Sequence, residues 1–131
     1  MAKICKVLIV EDNDDVRLLM EEVFDAEGYL IRTARNGSEM HALIAAEPDF
    51  DMLVIDVSLP GSDNGLDLAD AMAARGYSVI LVSGDHLQVE RMDQSGYPYL
   101  LKPFSVRSLI ELIDQLLQAA AVECERAARR A

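Results

Sequence analysis

Short apolar runs alternate with segments of helical period five times along this chain, and that alternation leaves few folds open. Val7-Leu8-Ile9-Val10, Met52-Leu53-Val54-Ile55 and Val79-Ile80-Leu81-Val82 each place four apolar residues in succession. Such runs read as strands buried on both faces. Tyr29–Ala34 and Tyr99-Leu100-Leu101 read as two shorter strands. Between them lie amphipathic stretches. Val16, Leu19, Met20, Val23 and Phe24 form one apolar stripe, introduced by the cap residue Asn13 and the acidic turn Asp14-Asp15 and stopped by Gly28. Ser38 is expected to cap a second helix through Ala46, with Met40, Leu43 and Ile44 facing in. A third helix runs from about Leu66 to Arg75. Ser105 caps a last one, striped by Val106, Leu109, Ile110, Ile113, Leu116 and Leu117. Parallel strands need covering crossovers, so this order predicts a parallel five-stranded sheet with helices on both faces, an α/β three-layer sandwich.

A chain of 131 residues is one domain's worth, enough to bury about two-thirds of its unfolded surface. Residues 1–118 are expected to form that domain, and residues 119–131 a helical extension or tail. The core is aliphatic, because 51% of residues are hydrophobic while Trp is absent. The formal net charge of −11 argues against a binder of nucleic-acid backbones, which needs a basic face. Cys5, placed in the first strand as a small core residue, and Cys124 in the tail show no metal spacing and suit a reducing cytoplasmic setting. No apolar run approaches the roughly 18–20 residues of a membrane span, and no secretory leader is evident. His41 reads as an exposed helix residue, and His86 lacks a spacing partner that would make it a ligand.

In a parallel sheet all strands point one way, so their C-terminal ends share one edge. Four strands deliver polar groups there: Glu11-Asp12, Asp56, Ser83 and Lys102. A lone strand-end Asp or Ser is ordinarily a helix cap. Four complementary groups at one edge are not explained that way. Three converging carboxylates repel and raise one another's pKa unless cations are present. Mg²⁺ suits such hard oxygen donors, with Mn²⁺ or another divalent ion as a substitute, and Lys102 supplies a point charge for a phosphate. The set fits phosphoryl transfer to a carboxylate, with Asp56 as nucleophile.

Over about residues 4–118 the sequence resembles the receiver domain of two-component response regulators, in its stand-alone form. The matching residues are Glu11-Asp12, Asp56 at the end of the third strand, Pro60 four residues on, Ser83, Tyr99 three before the lysine, and Lys102-Pro103. The resemblance implies a flavodoxin-like fold with strand order 2-1-3-4-5. It implies that Asp56 accepts a phosphoryl group from a sensor histidine kinase or a histidine phosphotransfer protein. Mg²⁺ would be held by Glu11, Asp12, Asp56 and the backbone carbonyl of Ser58. Phosphorylation would draw in the Ser83 hydroxyl and then the Tyr99 ring, altering the face made by helix four, strand five and helix five. A downstream protein target, onward passage of phosphate and a homodimer are further implied contacts; nucleic acid and membrane are not.

Two departures stand out. The loop from Asp56 to Gly65 is about one residue longer than the family pattern. The interval from Ser83 to Lys102 is about three residues shorter, nearly a helical turn, so helix four should be short or irregular. Ser58 and Asp85 occupy positions that tune phosphate lifetime in the family. A small Ser58 does not place a hydrolytic water as an amide would, and an inward Asp85 would add negative charge, so rapid loss of phosphate is not expected. A phosphorylation-independent pseudo-receiver is the alternative reading. A phosphatase of the haloacid-dehalogenase type would need an Asp where Ser58 stands. A dinucleotide or flavin module would need a Gly-rich loop after the first strand.

Overall fold

The computed structural model of the chain describes residues 5–58 and 64–130; the side chains of His86 and of residues 119–130 fall outside that description. Five strands and five helices alternate: β1 Lys6–Val10, α1 Asp14–Ala26, β2 Leu30–Ala34, α2 Gly37–Ala46, β3 Met52–Asp56, α3 Gly65–Ala74, β4 Val79–Ser83, α4 Val89–Ser95, β5 Tyr99–Leu101 and α5 Val106–Arg130. All strand pairs are parallel, in the order β2-β1-β3-β4-β5. The sheet thus has the expected flavodoxin-like order.

Side chains alternate across the sheet and sort the core into two layers. Val7, Ile9, Met52, Val54, Ile80 and Val82 pack with Met20 and Phe24 of α1 and Leu109, Ile110 and Ile113 of α5. Leu8, Val10, Leu53, Ile55 and Leu81 face the other way, against Met40 and Ile44 of α2, Met72 of α3 and Met92 of α4. Fully burying one such aliphatic side chain is worth about 1.5–3 kcal/mol, so a one-residue slip of any central strand would be very costly.

Several local expectations are corrected. Leu19 is 51% exposed. It precedes the buried Met20 and therefore lies about 100° round the helix from it, beyond the strip that α1 presses on the sheet. The second helix is capped by Asn36, whose side chain accepts from the Glu39 N–H, and not by Ser38. The Asn side chain reaches the donor three residues on, so the helix starts at Gly37, ahead of Ser38. Cys5 precedes β1 and is only half-buried. Tyr29 likewise stands outside β2, and its hydroxyl bonds Asp114 of α5.

The short fourth helix is as expected. One 3₁₀ turn, His86–Gln88, leads into an α4 of seven residues, ended by Gly96 at φ 80°. Leu87 in that turn is 86% exposed. Pro60 and the rest of its loop, residues 59–63, lie outside the described residues.

Candidate functional site

Strand parity builds the site. Glu11 continues the alternation of Val7 and Ile9, Asp56 that of Met52 and Val54, and Lys102 that of Leu100, so all three fall on the α1/α5 side of the sheet edge. Ser83 shares its parity with Leu81 and falls on the side of α3 and α4. The ladder reaches beyond the strands to hold these positions: the Glu11 N–H donates to Ala34 O at 2.9 Å and the Lys102 N–H to Ser83 O at 2.8 Å. The Lys102–Pro103 peptide is cis.

Lys102 Nζ donates to Glu11 Oε2 and to Asp56 Oδ2, both at 2.8 Å. The two acids are almost wholly buried, with side chains 1% and 3% exposed. The remaining oxygens are also engaged: Glu11 Oε1 accepts from the Asn13 N–H at 3.2 Å, and Asp56 Oδ1 from the Ser58 N–H at 2.7 Å. Asp12 is exposed, yet a carboxylate oxygen from each of Glu11, Asp12 and Asp56 lies within 4.8 Å of the others. Burial holds the Glu11 carboxyl above the ordinary carboxylate range; the Lys102 bond opposes this, and the Asp56 charge adds to it. For Lys102, burial favours the neutral amine, but the bonds to Asp56 and Glu11 outweigh it and raise the pKa.

One lysine thus faces two buried acids and a third at the rim, which leaves negative charge uncompensated where water is scarce. A hard divalent cation answers that charge, and three carboxylate oxygens this close are a fitting donor set for Mg²⁺. Asp12 is the acid with the most open access, whereas both oxygens of Glu11 already hold partners.

The hydroxyl side is separate. Ser83 is fully buried, and its Oγ accepts from the Asp85 N–H at 3.0 Å and lies 2.9 Å from Ser58 Oγ. The Asp85 carboxylate does not turn inward: Oδ1 accepts from the Leu87 N–H at 2.9 Å and closes the 3₁₀ turn. The Tyr99 ring is partly buried, and its hydroxyl donates to Asp93 of α4. His41 is exposed, as its place on the second helix suggested.

Sequence reasoning missed Gly65. A Cβ there would lie 2.4 Å from the Asp56 carbonyl oxygen and 2.5 Å from Val57 Cα, so α3 can begin directly beneath the end of β3 only without a side chain. The signal was Asn64-Gly65: Asn64 caps α3 by accepting from the Leu66 N–H at 2.9 Å.

Residues 7–114 match the response regulator receiver domain. The chain belongs to that family. Receiver domains are signalling switches and not turnover enzymes of the usual kind. The aerobic respiration control protein ArcA of Escherichia coli is 30% identical over 128 residues, which cover 92% of this chain and 53% of ArcA. The transcriptional regulatory protein CpxR of Klebsiella pneumoniae is 29% identical over 117 residues, covering 86% of this chain and 49% of CpxR. The chain spans about half the length of these curated relatives. Among solved structures, a CheY-like receiver domain protein from Methanospirillum hungatei superposes with a TM-score of 0.80 at 25% identity, covering 92% of this chain and 99% of that one. NtrX from Brucella abortus gives 0.82 at 25% identity, covering 95% of this chain and 29% of NtrX. Among the described residues, no helix is long and apolar enough to cross a membrane.

Proposed function

We propose that this receiver domain accepts a phosphoryl group on Asp56 from a phosphohistidine of a sensor kinase or a histidine phosphotransfer protein. The observation that carries this is the bridge from Lys102 Nζ to Glu11 and Asp56, at 2.8 Å each, beside the exposed Asp12. An Asp56 carboxylate oxygen attacks phosphorus as the phosphorus–nitrogen bond to the donor imidazole breaks. The bond electrons return to the imidazole, which takes up a proton, and Asp56 becomes an acyl phosphate. Lys102 already lies within hydrogen-bond reach of the nucleophile and moves its ammonium onto an oxygen of the incoming group.

Mg²⁺ would be held by Asp12 directly, by Asp56 and the Ser58 carbonyl, and by Glu11 through water. When bound it supplies positive charge against the oxygens of the transferred group. The outcome is a changed surface. Ser83 turns toward the phosphoryl oxygen, and Tyr99 gives up Asp93 and moves in, which alters α4 and β5 together with α5. That face then binds a downstream protein, or the phosphate passes on in a relay.

Phosphate-affinity electrophoresis after incubation with acetyl phosphate and Mg²⁺ tests this. The parent chain should shift, and Asp56→Ala should not shift at all. A shift that survives Asp56→Ala overturns the assignment. No shift in either chain favours a phosphorylation-independent binding module.

A further inference from the structure

Ser58 and Ser83 approach each other across the loop ends of β3 and β4, with 2.9 Å between their hydroxyl oxygens. Either could be the donor by distance, but their surroundings differ. Ser83 is fully buried, and among the described residues its hydroxyl meets a donor, the Asp85 N–H, and one other oxygen, Ser58 Oγ. A hydroxyl carries one proton and two lone pairs. The Asp85 N–H occupies one lone pair of Ser83, so the Ser83 proton has Ser58 Oγ as its acceptor. Ser58 is exposed, and water can take its proton. The reverse arrangement would leave a buried O–H without an acceptor, at the cost of desolvating it. No buried side-chain oxygen or nitrogen among the described residues lacks a partner.

We infer that Ser58 is a positioning residue: its hydroxyl is the resting acceptor of the Ser83 proton, and a phosphoryl group on Asp56 must take that proton from it. The inference rests on the phosphoacceptor reading of Asp56. The exchange runs forward because a phosphoryl oxygen is charged, and charge-assisted hydrogen bonds are about twice as strong as neutral ones. The Ser58 side chain thereby sets how readily the switch moves without itself bonding Asp56. The link from Ser58 to Asp56 is its backbone N–H, which donates to Asp56 Oδ1 at 2.7 Å.

Two measurements on the full chain test this. The first needs no ligand. In a denaturation cycle, Ser58→Ala lowers stability in the parent background and has no effect when Ser83 is already Ala, and Ser58→Thr restores the parent value. The second is a calorimetric titration with beryllofluoride and Mg²⁺, which mimics an aspartyl phosphate. Removing the competing acceptor should tighten binding by roughly threefold to tenfold in Ser58→Ala. The gain should vanish in the Ser83→Ala background, and Ser58→Thr should return affinity to within about twofold of the parent. Weaker or unchanged binding in Ser58→Ala, or a gain that persists without the Ser83 hydroxyl, overturns the inference. A parent chain that binds no beryllofluoride overturns the phosphoacceptor reading itself, and the role of Ser58 with it, whatever the stability cycle gives.

Discussion

Two lysines sit at opposite ends of the sheet, each between two carboxylates. Lys6 opens β1; its Nζ donates to Asp49 Oδ1 at 2.6 Å, lies 3.3 Å from Glu47 Oε1 and stands 4.9 Å from the centre of the Phe50 ring. Lys102 follows β5 and holds Glu11 and Asp56. The burial is inverted. At the Lys6 end the lysine stem is buried while Asp49 is 75% and Glu47 31% exposed; at the Lys102 end the acids are sealed and the lysine side chain is 28% exposed. Wet acids share their charge with solvent, so the Lys6 group is a clasp that ties β1 to the segment before β3. Sealed acids depend on whatever cation reaches them. The same three-group motif is therefore architecture at one end and chemistry at the other.

The largest separation should appear in phosphoryl uptake. Lys102→Met is expected to slow labelling by acetyl phosphate by about 100-fold or more, in the range seen when one preorganised charge-stabilising donor is removed. Lys6→Met should leave the rate within about twofold while lowering the denaturation midpoint. Equal slowing in both variants, followed by time-resolved phosphate-affinity gels, would erase the distinction between the two ends of the sheet.

Next comes divalent cation. Mg²⁺ at ten times its dissociation constant should add about 1.4 kcal/mol to stability. For a domain of this size that raises the melting midpoint by several degrees, roughly 2–8 °C per kcal/mol. Asp12→Asn should abolish most of the rise, and Glu47→Gln none of it. A rise that persists in Asp12→Asn would place the ion elsewhere.

The smallest effect is a difference of sign with pH, measured in a chelator. Burial raises the Glu11 pKa, so the folded state binds this proton more tightly than the unfolded one, and stability falls as pH climbs from the unfolded value near 4.5 through the folded one. The Arg32 hydrogen bond lowers the Glu47 pKa, so its stabilisation is present above the unfolded value and is lost as pH falls through the folded one. Glu11→Gln should therefore gain on the parent as pH rises, and Glu47→Gln should lose ground. Parallel curves for the two variants would contradict the burial contrast.

The chemical end was far more legible in the sequence than the clasp. Glu11, Asp56, Ser83 and Lys102 each end an apolar run, and β-sheet parity carries them to one edge without knowledge of any contact. Lys6 gave no such cue. Its partners Glu47 and Asp49 lie in the connection after α2, and pairings of that separation leave no local pattern. Leu19 was misplaced because periodicity gives the centre of an apolar stripe better than its width. Asp85 was placed near the site by position, but its carboxylate closes a turn, as short acidic side chains do when an N–H lies two residues on. The hydroxyl contact of Ser58 with Ser83 depends on two loops meeting, which neither loop encodes alone.

Strand parity also divides the labour within the site. The ionic groups stand on one side of the sheet edge and the Ser83 hydroxyl on the other. Ser58 joins the two sets, its backbone N–H on Asp56 and its hydroxyl on Ser83, so affinity for phosphate and readiness to signal are geared together, and a designer who turns one dial moves the other.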